Sequence, residues 1–375
     1  MEQQRRWHAD RVILAVGLLL ALTAVVAVVA TRVGRPYLPM GDEANIDLRV
    51  RDVFTANTPL VGAYSRGFNH PGPLLYWLLA PLSVAAGGAA WATLVGGALL
   101  EGFAIAASGW LAYRRGGVLL MALVLAALAR AYTAFPTGLQ FLQTWNPNVA
   151  FPFFMLFLLQ VWAFACGSRW QALGAAVTGT LLVQLHVGYV PLVAVPALWA
   201  VVVVVLDARR AHDEPGARRA PRWRTVLTAT ALAAAALWLA PVIQQVTHDP
   251  GNLTETVRYF RDPEGAAAGV GKGAGIFAAE FAYPPPWLGG HDSLQFATSI
   301  VDTESAAWLL VPAALLALGF FAAHRSRRVA DRRLVELATV TALTSILAIS
   351  RITVGLVPFI FYWRIIAAVF VVVAA

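Results

Sequence analysis

"HPGPLLYWLLAPLSVAAGG", residues 70–88, decides how the rest of the chain is threaded. It is apolar enough to pass for a membrane span. Yet it contains Pro71, Pro73 and Pro81, which disrupt a helix or confine it to a short piece. On either side, continuous apolar runs of about 20 residues recur, the length that crosses a bilayer. The chain has 375 residues, of which 59% are hydrophobic and 13% charged. An ordinary soluble domain carries roughly 25% charged residues, and the mean hydropathy here is +0.67. The runs lack the alternation of a β-barrel strand. The sequence therefore predicts an all-α, polytopic transmembrane helical protein.

Arginine-rich connectors give the orientation. They are the start "MEQQRRWHADR", "YRRGG" (113–117), "GSRWQ" (167–171), "DARRAHDEPGARRAPRWR" (207–224) and "HRSRRVADRR" (324–333). The positive-inside rule places such segments in the cytoplasm. About ten spans satisfy this, near 12–31, 90–112, 118–134, 149–166, 172–187, 190–206, 225–243, 306–323, 334–350 and 359–375. Counting residues 70–88 as a further crossing would put "YRRGG" and the 207–224 loop outside. We therefore read residues 70–88 as a short juxtamembrane or re-entrant helix. The first outer loop then covers 32–88, and a long outer loop covers 244–305. The long loop holds eight carboxylates against three basic residues, Arg258, Arg261 and Lys272, which suits an external side. The N-terminus is expected in the cytoplasm. The sequence stops inside the apolar run "AVFVVVAA", which reads as a truncated C-terminus.

Several chemistries are excluded or weakened. The basic balance, a net charge of +8, is accounted for by the connectors, so no nucleic-acid partner is implied. A single cysteine, Cys166, rules out an internal disulfide or a cysteine-based metal site. "GVGKGAG" (269–275) holds the only lysine, but Ala266 and Gly273 stand where a phosphate loop needs Gly and Ser/Thr. It reads as a mobile glycine-rich loop. Glu101 lies within an expected span, and a hydrogen-bonded structural role competes there with a functional one.

The charge that the spans lack gathers behind the first of them, in "GDEANIDLRVRD" (41–52). Gly41 breaks the preceding segment, and residues 42–52 read as a short amphipathic helix with Asp42 as N-cap, Glu43 in the first turn and an Asp47–Arg51 pair. Ile46, Val50 and Phe54 form the expected buried face. Asp42 stands apart, because it lies at the junction with the preceding loop beside the membrane surface. The same outer loop then carries Tyr64, Arg66, Asn69 and His70. Tyr76 and Trp77 suit an interfacial belt. Trp145 and Asn146 sit in "TWNPN", ordinary turn chemistry, and Gln184, His186 and Tyr189 in "QLHVGY" at another outer corner.

The pattern "GDEA…LRVRDVF…TPLVGAYSRGFNHPGPLLYW", then "WNPN", then "QLHVGY", resembles a group of actinobacterial integral membrane proteins similar in layout to GT-C glycosyltransferases. Members of that superfamily have an essential acid soon after the first span and juxtamembrane helices opened by a His-Pro-Pro-Leu-like motif, which "HPGPLL" resembles. The resemblance implies transfer of a sugar from a polyprenyl-phosphate donor, with inversion, to a glycan, lipid or protein acceptor at the outer face of a bacterial plasma membrane. Sugar transfer needs a general base, and a cation for the leaving phosphate. Asp42, with Glu43 beside it, is the expected base. His70 is an expected donor or acid, and Arg66, Arg351 and Arg364 are expected phosphate ligands. Tyr64, Asn69, Trp145, Asn146, His186 and Tyr189 are expected on the substrate. Asn146 and Asn148 stand in the outer loop where many members carry a second acid, and no Asp-x-Asp is intact. No metal ligand or other cofactor is therefore assigned. The alternatives are a transporter or flippase of lipid-linked sugars, and an inactive scaffold of the same fold.

Overall fold

The computed structural model describes residues 15–19, 22, 23, 25–65, 67–133, 144–212, 223–263, 265–288, 303–353 and 355–375. Among them there is no strand, only a single bridge between Tyr64 and Asn69. The first helix, α1, is helical at residues 15–19, 22, 23 and 25–32. There follow α2 (Asp42–Asp52), α3 (Leu74–Ala85), α4 (Ala90–Thr133), α5 (Asn146–Ala165), α6 (Gln171–Leu185) and α7 (Val190–His212). The second half contributes α8 (Trp223–Thr247), α9 (Asn252–Arg261), α10 (Gly269–Ala279), α11 (Leu310–Ser326), α12 (Val329–Ser350) and α13 (Trp363–Ala374). Among the described residues, six helices are long and apolar enough to cross a membrane. The chain is an all-α, polytopic helical membrane protein.

Residues 70–88 resolve as the 12-residue α3. At 1.5 Å per residue it is about 18 Å long, short of the roughly 30 Å hydrocarbon core. Helix α4 is two antiparallel arms. The chain reverses at Gly117, whose φ of 71° lies in the region that glycine enters without steric cost. The reversal brings Tyr132 back to Glu101, and the tyrosine hydroxyl donates to Glu101 Oε2 at 2.7 Å. Glu101 thus clamps the two arms inside the bundle.

Helix α5 is the hub. It is apolar on every face, and 94% of its most apolar window is buried, as expected of a helix ringed by others. In α7, α8 and α11 the corresponding share is 17–22%, so these helices present their Val, Leu and Phe outward. The C-terminal end of α5 is held by arginines from the connectors. Arg115 donates to Ala163 O at 2.6 Å and Arg333 to Ala165 O at 2.5 Å. Arg333 also pairs with Asp207 at the end of α7. Cations suit these terminal carbonyls, where the helix dipole is negative. "YRRGG", "DARR" and "HRSRRVADRR" therefore converge on one end of the bundle.

Three sequence expectations are corrected. The N-cap of α2 is Gly41, without a side-chain cap, and Asp42 is the first helical residue. Phe54 is 74% exposed, and Val53 joins Ile46 and Val50 in the core. The helix ends at Asp52, so the 3.6-residue period that would bury residue 54 stops before it. "GVGKGAG" opens α10 rather than forming a loop. A Cβ on Gly273 would come 2.6 Å from Ile346 O and 3.1 Å from Ser350 N. Its absence lets α10 lie directly on the backbone of α12, the use of small residues common between membrane helices.

Candidate functional site

An open cleft of about 2430 Å³ lies at the N-terminal end of α5. That is the end opposite the arginine connectors, a helix of about 30 Å away. Helix α2 brings Asp42, Arg49 and Arg51 to its wall, and Trp145 and Asn146 come from the start of α5. The segment between α2 and α3 contributes Tyr64, Asn69 and His70. His186 follows α6, Arg261 ends α9 and Arg351 ends α12. The walls between them are apolar and aromatic, with Phe359 packed 4.9 Å from Trp145 and Trp363 beyond.

Local chemistry explains how these residues are held. Residues 62–65 and 67–70 pair in a small hairpin, with His70 N donating to Ala63 O at 2.8 Å and Ser65 N to Phe68 O at 2.8 Å. Phe68 anchors it, buried 4.9 Å from Tyr259 of α9. The side chain of Asn252 then clasps the hairpin. Its Oδ1 accepts from Asn69 N at 2.8 Å, and its Nδ2 donates to Asn69 O at 2.9 Å. Helix α9 is itself started by α8. Gln244 Oε1 accepts from Asn252 N at 2.7 Å, and Gln245 Oε1 from Leu253 N at 2.9 Å. These bonds satisfy backbone donors that a helix start leaves unpaired. Asn252 is therefore buried and engaged.

Two imidazoles meet on the cleft wall. His70 and His186 lie 4.6 Å apart between ring centroids. Gly188 N donates to His186 Nδ1 at 3.1 Å, and Val187 N to His70 Nδ1 at 3.4 Å. A ring nitrogen that accepts carries no proton, so these bonds assign both rings as neutral with the hydrogen on Nε2. Burial, and then the neighbouring His186, push His70 well below the usual histidine range. The close approach needs Gly72, where a Cβ would fall 2.1 Å from Gln184 Oε1.

The remaining predicted residues lie elsewhere. Glu43 faces away from the cleft, into a water-sized gap of about 10 Å³ beside Asp47 and Thr93. It accepts a hydrogen bond from Tyr37, and burial raises its carboxyl above the usual range despite that bond. Asp47 is buried, accepting from Arg51 at 2.5 Å and from Thr93 Oγ1 at 2.6 Å. Tyr189 sits behind His186, edge-on to Phe154. Arg364 is 1% exposed and binds Glu280 at 2.7 Å. Arg66 lies outside the described residues.

Arg261 is a cleft residue that the sequence reading passed over. It ends "NLTETVRYFR", where Val257 and Phe260 at helical spacing mark an amphipathic helix inside the long loop. Among the described residues, neither Arg261 nor Arg351 forms an ion pair with a carboxylate, whereas Arg49 and Arg51 face Asp52 and Asp47. The loop behind Arg261 is tied to that behind Arg351 by Ala268 N donating to Ile352 O at 2.8 Å. Among the described residues, no group of three or more His, Cys, Asp or Glu side chains gathers as metal ligands. No protein-family model, curated protein or solved structure matches this chain.

Proposed function

We propose that this chain is a GT-C-type membrane glycosyltransferase. It transfers a sugar, with inversion, from a polyprenyl-phosphate donor to a cell-envelope acceptor. The observation that carries the reading is the cleft itself. It joins an exposed carboxylate, Asp42, to two arginines that form no ion pair with a carboxylate among the described residues and to a histidine pair, within largely apolar walls. The arginine connectors lie at the opposite end of the bundle. With that end in the cytoplasm by the positive-inside rule, the cleft opens at the outer face of a bacterial plasma membrane. Counting α1, both arms of α4, α6, and α13 together with the turn Pro358–Phe361 that leads into it as crossings, but not α3, gives about ten.

In this reading Asp42 takes the proton of the acceptor hydroxyl as its oxygen attacks the anomeric carbon. The sugar–phosphate C–O bond breaks on the opposite face, and its electron pair leaves with the phosphate. Arg351 and Arg261 hold the growing phosphate charge through charge-assisted hydrogen bonds. Arg364 is left out, because its charge is committed to Glu280. Trp145, Tyr64 and Asn69 line the sugar's place, and the apolar walls take the prenyl chain.

Purified protein in liposomes, given a labelled prenyl-phosphate sugar and envelope glycans, lipids or peptides, tests this. Formation of prenyl monophosphate together with glycosylated acceptor supports the proposal. Movement of the intact donor between leaflets, without cleavage, replaces it with a transporter.

A further inference from the structure

Behind α2 lies a buried carboxylate that belongs to neither the cleft nor the apolar core. Asp47 is 3% exposed. Its two oxygens accept from Thr93 Oγ1 at 2.6 Å and from Arg51 at 2.5 Å. Thr93, buried as deeply, belongs to α4. Thr144 Oγ1 donates to Thr93 O at 3.0 Å, and Thr144 leads directly into Trp145 and Asn146 of the cleft. Asn146 Nδ2 donates in turn to Leu185 O at 2.7 Å, one residue before His186. A string of polar side chains thus runs behind the cleft wall from α2 through α4 to the start of α5 and the end of α6. We propose that Asp47 is a positioning residue, which through Thr93 fixes the roll of α2 about its axis and so aims Asp42 at the acceptor. The proposal rests on the transferase reading and extends it to what holds the base.

Helical spacing sets up the relation. Asp42, Asn45, Arg49 and Asp52 line the cleft at intervals of three or four residues, along one face of α2. Asp47 is five residues beyond Asp42, about 140° around the axis. It turns away from the cleft with Glu43, toward α4. Any roll that carries Asp42 along the cleft wall therefore pulls Asp47 off Thr93.

Little else resists such a roll. Helix α2 has 11 residues and no side-chain cap. The chain turns through positive φ on either side of it, at Gly41 and at Phe54. Ile46 and Val50 hold it to the core, but apolar contact is non-directional. The Arg51 side chain is 45% exposed, so its pairing with Asp47 restrains little. The bond from Thr93 is directional and buried, and breaking it strands a carboxylate oxygen away from water. Side-chain ends lie about 6 Å from a helix axis, so a roll of about 10° moves the Asp42 carboxylate by about 1 Å. A misplacement of that size can lower a catalysed rate about 100-fold.

The test is transfer from a prenyl-phosphate sugar by the full chain in liposomes, with paired substitutions at both ends of the bond. Thr93→Val keeps the shape and removes the hydroxyl, and Thr93→Ser restores the hydroxyl. Asp47→Ala removes the acceptor, and Asp47→Asn keeps an oxygen for Thr93. Thr93→Val and Asp47→Ala should lower kcat about 10–100-fold with KM within about twofold. Thr93→Ser and Asp47→Asn should recover most of the lost rate. Leu334→Ala, in the core near the other end of the bundle, controls for lost stability and should keep the wild-type kcat per folded molecule. The proposal is overturned if Thr93→Val and Asp47→Ala fall no further than this control, or if serine and asparagine bring no recovery. Should one pair not fold, the other decides. A second readout needs no transfer: the distance between spin labels at Asn45→Cys on α2 and Arg114→Cys on α4, in a Cys166→Ser background. Its distribution should shift or broaden with Thr93→Val and stay put with Thr93→Ser. Distances unchanged by Thr93→Val overturn the positioning role even where transfer is slowed. Distances that change in a protein that transfers no sugar keep the anchor and remove the enzyme.

Discussion

Arg351 and Arg364 carry the same side chain in different surroundings. Arg351 is exposed on the cleft, and Arg364 is enclosed with Glu280 and stacked 5.0 Å from Phe361. Removing one member of a buried pair strands the other charge, at about 3–5 kcal/mol. Arg364→Met should therefore lower the thermal midpoint sharply, whereas Glu280→Leu combined with Arg364→Met should recover much of the loss. Scanning fluorimetry in detergent reads both. Arg351→Met should change stability by no more than about 0.5 kcal/mol but raise the KM for a prenyl-phosphate sugar about tenfold. Sequence could not separate these arginines, because Glu280 is distant along the chain and nothing local marks the pairing. Asp42 and His70 were legible for the opposite reason. A charge cluster and a proline-rich histidine motif stand out locally against apolar spans.

At the scale of elements, continuous apolar runs were readable because a bilayer fixes their length, and three prolines marked α3 as short. Shorter helices were harder. Phe54 is exposed and Val53 buried because α2 ends at Asp52, as expected, and its helical face does not continue to residue 54. Helix α10 looked like a loop because glycine is a poor helix former in isolation. Contact with α12 overrides that preference. The hairpin–α9 clasp was invisible, since Asn69 and Asn252 meet only after the chain has folded. Asn252→Ala removes the partner of two backbone groups of Asn69 and should cost about 1–3 kcal/mol. Because the clasp also seats His70 and Arg261, donor affinity should fall with stability in this variant. Gly273→Val should be more disruptive, as its side chain meets backbone that cannot give way. Thermal unfolding ranks the two.

The whole molecule has two chemically distinct ends, separated by the length of α5. One gathers arginines on the terminal carbonyls of α5, and the other opens the cleft. This polarity was readable from the connectors alone, whereas the residues sharing the cleft were not. Their meeting depends on hairpin, helix-end and loop contacts between segments far apart in sequence. A cysteine at Gly116, in a Cys166→Ser background, should react with an impermeant maleimide only from the cytoplasmic side. One at Leu60, on the cleft wall, should react only from outside. Labelling of Gly116→Cys from outside would invert the orientation and move the cleft to the cytoplasm. The central claim is that Asp42 is the base for sugar transfer. It is tested most directly by single-turnover transfer from a prenyl-phosphate sugar in liposomes, comparing wild type with Asp42→Asn. Asp42→Asn keeps the shape of the side chain and removes its basicity. The account predicts an unchanged thermal midpoint, donor binding within a few-fold, and a transfer rate lower by about 10²–10⁴-fold. Transfer by Asp42→Asn at the wild-type rate would contradict it.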